Sequence, residues 1–477
     1  MICRLRHRWQ QEGGYRDFLS VAVPLILSTA TWSIQHFVDR VFLTWYSTDA
    51  VAAALPAGMT SFVFVAFFMG TASYVNTFVA QYVGAGRQER VGPSLWQGAY
   101  LAVISGVAGL GLAAAAGPMF EWVGHEAAVR KKEISYFRIL CYGMLPLTLA
   151  TAFSCFYSGR GKTWPLLAVN ATATLINLVL DYALIFGKFG LPEMGIRGAG
   201  WATNLATVFS AVAFLILISQ PRYRHRYGIL SGWKYDPDLF RRLLKFGGPN
   251  GISFMLDILG FTLFVLIVGR LGTLELTATN LAFNINTLAF MPLIGCGIAV
   301  STMVGQKLGA DRPDAAEYVT WTGVHVGLAY SVIMMIGYGF FPQLFLGPYD
   351  VGADSAEFLA AREIAVLLLR FLAIYMLFDC MYILFTAALK GAGDTRYVMY
   401  ASIALSWVLM VLPAFMTTVF YDADIYVLWS FLCFFVIVSG IAFYVRFRGA
   451  KWKQMRVIEE APVIERAGAG TEEESAP

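Results

Sequence analysis

VGPSLWQGAYLAVISGVAGLGLAAAAGPMF, from Val91 to Phe120, runs for 30 residues without an Asp, Glu, Lys or Arg. A helix rises 1.5 Å per residue, so about 20 apolar residues cross a hydrocarbon core of ~30 Å. This stretch alone has the length of a membrane span. Ile139–Gly159, Gly198–Pro221, Leu276–Gln306, Tyr397–Tyr421 and Ile425–Val445 are equally free of charge. Val41–Gly86 holds only Asp49, and Tyr318–Tyr349 has no formal charge beyond a protonatable His325. Spans broken by isolated charges near residues 18–45, 164–187, 245–269 and 364–388 bring the count to twelve helices. Backbone groups in lipid must be satisfied within their own segment, and these runs are too long for barrel strands. The fold class is therefore all-α integral membrane, with twelve transmembrane helices.

Composition agrees. Of 477 residues, 58% are hydrophobic and 14% charged, against roughly 45–50% and ~25% in soluble domains. A net charge of +4 spread between the apolar runs leaves no basic patch for nucleic acid. The basic start from Arg4 to Arg16, followed by Phe18–Trp45, is too long for a signal peptide and reads as the first membrane helix. The cysteines Cys3, Cys141, Cys155, Cys296, Cys380 and Cys433 are scattered with no CxxC pair, so they read as packing residues.

Lys and Arg mark cytoplasmic loops. With the amino terminus inside, inner segments hold 25 of them and outer segments nine, with Arg40 inside the first span. Both termini are then cytoplasmic, in a multi-pass protein of the cell membrane. An internal repeat adds the domain plan. At an offset of 225, Pro24 meets Pro249, Gly70 meets Gly295, and Gln81, Gly84, Ala85 and Arg87 meet Gln306, Gly309, Ala310 and Arg312. Later the offset is 232, where Gly159, Gly161 and Thr163 meet Gly391, Gly393 and Thr395. Six spans per half is even, so two six-helix lobes are related by a pseudo-twofold along the membrane normal. The expected divisions are an N-terminal tail (1–17), a first lobe (18–220), a cytoplasmic linker (221–245), a second lobe (246–448) and a C-terminal tail (449–477). Ala467–Pro477 reads as disordered.

Chemistry resides in acids at membrane depth, since each Asp at a helix centre costs about 2.5–3.5 kcal/mol of insertion free energy. Asp39 and Asp181 fall in the outer half of spans one and five, and Asp257 and Asp379 near the middle of spans seven and ten. The repeat does not generate them: Asp39 aligns with Phe264, Asp257 with Trp32 and Asp181 with Pro413. Asn177 lies one turn before Asp181 on the same face, and Thr203 on the next span offers a hydroxyl near that level. Such oxygen ligands suit a small hard cation or a carboxylate-held proton. Asp257 and Asp379 have no embedded basic partner expected at their depth. Arg40 points about 100° from its neighbour Asp39, which opposes direct pairing. Aromatics such as Phe37, Phe62, Phe283 and Phe290 have faces that stack on flat organic cations, but at 15% aromatic content such rings are mostly lipid-facing or packing surface, and no single one is informative. Gly159-Arg160-Gly161-Lys162-Thr163 imitates the end of a P-loop but lacks the first Gly, where Phe156 stands, and the preceding strand. No catalytic constellation and no cofactor motif is found, so no enzyme is expected.

The duplicated halves, the Val38-Asp39 step and the turn from Gln81 to Arg87 make residues 15–448 resemble the multidrug and toxic compound extrusion (MATE) family, in its NorM-type branch. Asn177 with Asp181, then Pro192, Gly195, Gly198 and Thr203, look like its fifth and sixth helices, and Lys390 to Thr395 like its turn after helix ten. The resemblance implies two lobes around a V-shaped cavity and efflux of organic cations in exchange for Na+ or H+. It assigns Asp39, Asn177, Asp181 and Thr203 to an amino-lobe cation site, and Asp257 and Asp379 to the carboxyl-lobe acids. The family usually has a small residue after Asp39 and more often Glu where Asp257 stands. The expected partners are the bilayer and small cationic amphiphiles, not nucleic acid, with a monomer as the expected state. The alternative is a flippase for a lipid-linked sugar, but its anionic cargo would favour Arg or Lys where this cavity offers Asp. A channel is disfavoured by an acid pair in each lobe.

Overall fold

A computed structural model of the chain describes residues 8–123, 126–349, 356–421 and 423–459. The expected disorder of Ala467–Pro477 lies outside them. Among the described residues twelve helices are long and apolar enough to cross a membrane, and none of the secondary structure is strand. They are α1 (Tyr15–Tyr46), α2 (Ala53–Gly84), α3 (Val91–Val123), α4 (Ala127–Gly159), α5 (Trp164–Phe186) and α6 (Ile196–Ile218). The second six are α7 (Pro237–Gly269), α8 (Thr273–Gly309), α9 (Pro313–Phe340), α10 (Ala356–Ala392), α11 (Thr395–Phe420) and α12 (Ile425–Arg448). The five cysteines among the described residues are free and buried.

Apolar faces turn inward within each set of six: α5 packs between α1 and α6, and α10 between α8, α9 and α12. Across the two sets, α1 lies on α8 and α2 on α7. The repeated glycine turn makes the closest of these contacts. A Cβ on Gly84 would stand 1.9 Å from the Gln306 carbonyl oxygen, and one on Gly309 would stand 2.1 Å from that of Gln81. Gln81 Nε2 donates to Gly391 O at 3.1 Å, and its repeat mate Gln306 donates through Nε2 to Gly159 O at 2.8 Å. The duplication thus builds one cross-link twice, each glutamine reaching into the opposite half. Asn76 Nδ2 to Thr302 Oγ1 (3.0 Å) and Asn250 Nδ2 to Gly70 O (2.7 Å) add buried ties. Further along α1 and α8 the bridge is a long side chain, Arg40 NH1 to Asn284 Oδ1 at 3.1 Å, both groups exposed.

The segment after α12 straps the same face. Trp452 is buried and stacked on Phe447 at 4.9 Å. Lys453 pairs with Asp314 and Glu317, and Arg456 with Asp311, all in the second half. The chain then crosses over: Val457 N–H donates to Gln81 Oε1 at 2.9 Å. Glu459 takes hydrogen bonds from Tyr82 Oη (2.7 Å), Arg87 (2.6 Å) and Arg242 (3.0 Å) and pairs with Arg90 at 3.3 Å. Burial pushes the Glu459 carboxyl up, but the Tyr82 hydroxyl, its own backbone N–H and the Arg87 and Arg90 guanidiniums outweigh it, and the group ends below the ordinary carboxylate value. A depressed pKa contributes stability above the unfolded value, lost as pH falls through the folded one. The strap is therefore expected to hold at neutral pH and release only in acid. Protease clipping near Met455, followed against pH, should stay slow until below the normal carboxylate range and be faster already at neutral pH in Glu459→Gln.

Candidate functional site

Two parallel stripes position the first acid pair. Ser28 and Asp39 on α1, and Asn170 and Asp181 on α5, are each eleven residues apart. Eleven residues make just over three turns, so both members of each pair share a face, about 16 Å apart along the axis. Asn170 Nδ2 donates to Ser28 Oγ at 2.7 Å. That bond sets the register and brings Asp181 opposite Asp39 three turns later. Aromatic rings fix the same register from the other end: Phe42 lies 6.0 Å from Tyr182 and 6.1 Å from Phe186, centroid to centroid. Tyr46 Oη donates to Glu193 Oε1 at 3.0 Å in the α5–α6 connection, which Gly187 opens by adopting φ 64°.

The pocket so formed is polar and unsatisfied. Asn177 and Asp181 are fully buried. Asp39 Oδ1, both amide heavy atoms of Asn177 and both carboxylate oxygens of Asp181 are inaccessible and have no hydrogen-bond partner of normal geometry among the described residues. The two carboxylates nonetheless interact electrostatically, with Tyr136 of α4 in reach of both and His36 in reach of Asp39. Buried polar groups without partners cost about 1–3 kcal/mol each, and the four oxygens among these five atoms are a ligand set suited to a small cation or to protons. Thr203 is set differently: its hydroxyl donates to Ala199 O of its own helix at 3.1 Å, leaving only oxygen lone pairs to offer a ligand.

Asp257 on α7 and Asp379 on α10 face a second polar region. Ser253 Oγ donates weakly to Asp257 Oδ2 at 3.4 Å, and Asp379 is buried. Tyr382, one turn beyond Asp379, lies in electrostatic reach of both acids. Ser402 of α11 is buried beside Tyr382, and Thr386 of α10 has a buried hydroxyl with no partner among the described residues. One expectation is corrected: Lys390, at the end of α10, reaches back far enough to interact with Asp257. Helical counting placed it at the end of the span, but a lysine stem extends its ammonium by several ångströms. None of the four acids forms a salt bridge among the described residues.

Two tyrosines, Tyr136 and Tyr382, were missed by the sequence reading. The i, i+3 spacing of Asp379 and Tyr382 was an available signal, whereas only tertiary packing brings Tyr136 to Asp39 and Asp181. Of the aromatic candidates, Phe283 stacks on Trp429 at 5.1 Å and packs between helices, Phe62 meets Phe254 of α7 edge-on at 6.3 Å, and Phe37 is exposed.

Comparison with known proteins gives the family of the chain. Multidrug resistance protein NorM of Photobacterium profundum is 26% identical over 404 residues, covering 84% of this chain and 87% of that one. Multidrug resistance protein PmpM of Pseudomonas aeruginosa is 26% identical over 394 residues, covering 82% and 81%. Among solved structures, the outward-facing conformation of a multidrug resistance MATE family transporter superposes with TM-score 0.81 at 16% identity, covering 92% and 97%. A MOP superfamily transporter from Pyrococcus furiosus superposes with TM-score 0.80, also at 16% identity and the same coverage. The MatE family model matches twice, at residues 24–183 and 249–416, starting at the same offset of 225 that aligns Pro24 with Pro249. Matched over more than half its length, this integral membrane chain belongs to the MatE family.

Proposed function

We propose that this protein is a secondary antiporter that exports organic cations in exchange for Na+ or H+ by alternating access. The carrying observation is the set of buried, unpartnered oxygens of Asp39, Asn177 and Asp181. Their desolvation is offset only when a cation or protons enter, so ion binding and the arrangement of α1 on α5 are coupled. The multidrug resistance names of the relatives support the substrate class. Residues 18–220 and 246–448 act as the two moving lobes, and the face bearing Gln81 and Gln306 is cytoplasmic, as the Lys and Arg distribution requires.

In this reading the described conformation is closed on the cytoplasmic side. The coupling ion enters from outside and neutralises Asp39 and Asp181, or Asp257 and Asp379. The organic cation then loses its attraction to the cleft and leaves. Rocking of the lobes resets the site, driven by about 2.3 kcal/mol per charge per 100 mV of membrane potential. Arg40, bonded to Asn284 of the other lobe, sits where rocking must break its hydrogen bond.

Reconstitution into liposomes tests this. Ethidium movement should follow an imposed sodium or proton gradient and stop when that gradient is collapsed. Dye movement indifferent to both gradients would remove the antiporter reading, and translocation of an anionic lipid-linked sugar instead would favour a flippase.

A further inference from the structure

At the start of α7 and α11 the surface holds an open hollow of ≈ 820 Å³ lined by Asp238, Arg241, Arg242, Leu244, Lys245 and Arg396. We infer that this hollow binds the phosphate headgroup of an anionic phospholipid of the cytoplasmic leaflet, a site separate from the ion and substrate machinery.

Charge and place both carry the inference. Four cations line the hollow against one acid. Arg242 is shared with Glu459, but Arg241, Lys245 and Arg396 make no ion pair among the described residues. Three uncompensated cations from two different helices, converging on one concavity, repel one another unless an anion sits between them. At ~30 Å³ per water, the space is far larger than a single ion needs.

Position selects a lipid over a soluble anion. Lys245 is the last charge of α7 before the apolar run that extends to Asp257, and Arg396 is the last before the uncharged Tyr397–Tyr421. Both therefore stand at the level where chain enters hydrocarbon. Beside Lys245 on α7 Leu244 is exposed, and on the membrane side of Arg396 Tyr400, one turn on, is 68% exposed. A charged cradle opening onto apolar surface fits an amphiphile whose phosphate rests on the cations and whose acyl chains follow α7 and α11. Basic pockets between membrane helices hold anionic headgroups by this arrangement. A purely topogenic role for these charges, which the loop arginines Arg222, Arg224 and Arg226 already serve, needs no shared concavity.

The test is the selectivity of the purified full-length protein for phosphatidylglycerol over phosphatidylcholine, from spin-labelled lipids in nanodiscs of phosphatidylcholine with added phosphatidylglycerol. Wild type should prefer phosphatidylglycerol. Arg241→Gln and Arg396→Gln should each lower that preference about fivefold, as expected for ~1 kcal/mol per surface cation. Arg270→Gln at the far end of α7 should not change it. If the glutamine variants do not fold, the pair Arg241→Lys and Arg396→Lys keeps the charges and should keep the preference. Equal affinity for both lipids in wild type, or a preference untouched by the glutamine variants, would overturn the proposal. Protection of the hollow by inorganic phosphate alone, with no lipid preference, would overturn the lipid assignment.

Discussion

Asp181→Asn should leave the protein folded and in the membrane but reduce ion-coupled ethidium efflux by about two to three orders of magnitude. The substitution preserves volume and polarity while removing the charge of a fully buried group. Asn177 and Asp39 meet Asp181 only through contacts short of normal hydrogen-bond geometry, and the asparagine amide can keep them, so folding has little reason to suffer. What disappears is the negative charge that draws the ion in. A contact to a charged group contributes about 1.5–3 kcal/mol, so losing the two that a carboxylate would give the ion costs, at about 1.4 kcal/mol per tenfold, at least about two orders of magnitude in ion affinity. Proteoliposomes with an imposed gradient measure the efflux, and calorimetric titration with sodium or a pH jump measures ion uptake. Wild-type efflux and ion uptake in this variant would withdraw Asp181 from the coupling site. Asp379→Asn separates the two acid regions: lost dye transport with preserved ion uptake would mark the second as the substrate side.

Gly84→Ala is expected to act on the conformational step alone. The added Cβ would lie 1.9 Å from the Gln306 carbonyl oxygen, well inside contact distance and against backbone that cannot rotate away. The α2 and α8 ends must then separate by more than an ångström, and the hydrogen bonds from Gln81 to Gly391 and from Gln306 to Gly159 are strained or broken. A conformation sealed at this face loses several kcal/mol relative to one that is open there, because overpacking alone costs about 1–3 kcal/mol and each lost buried hydrogen bond adds about 1 kcal/mol. Transport should fall at least tenfold. Spin labels at exposed positions of the α2–α3 and α8–α9 turns should report longer distances, while ion affinity per site stays within a fewfold of wild type. Unchanged distances would show that this face tolerates the methyl group and is not tightly closed. Gly309→Ala, its repeat mate, should behave in the same way.

The two variants address different consequences of one ancestry. Duplication supplies a symmetric cross-link between the halves, visible in the paired glutamines and glycines, while the acids break the symmetry. A transporter with identical halves would bind ion and substrate identically in both. Here Asp39 and Asp181 occupy one half, and Asp257 and Asp379 occupy unrelated positions in the other, so the halves can carry different ligands on a common frame.

Sequence alone determined the class, the number of spans, the repeat and the acids, because lipid leaves a chain few solutions: uncharged runs of 20 or more residues must be helices, and a charge inside one must have a use. The eleven-residue spacings on α1 and α5 were also readable, since helical period is a local property. Tertiary structure decided what depends on neighbours far along the chain. It brought Asp39 opposite Asp181 through the Asn170–Ser28 bond, added Tyr136 from α4, set Lys390 within electrostatic reach of Asp257, and carried Glu459 across to Arg87 and Arg90. No periodicity encodes those meetings, because side-chain reach and helix register are fixed only when separate helices pack.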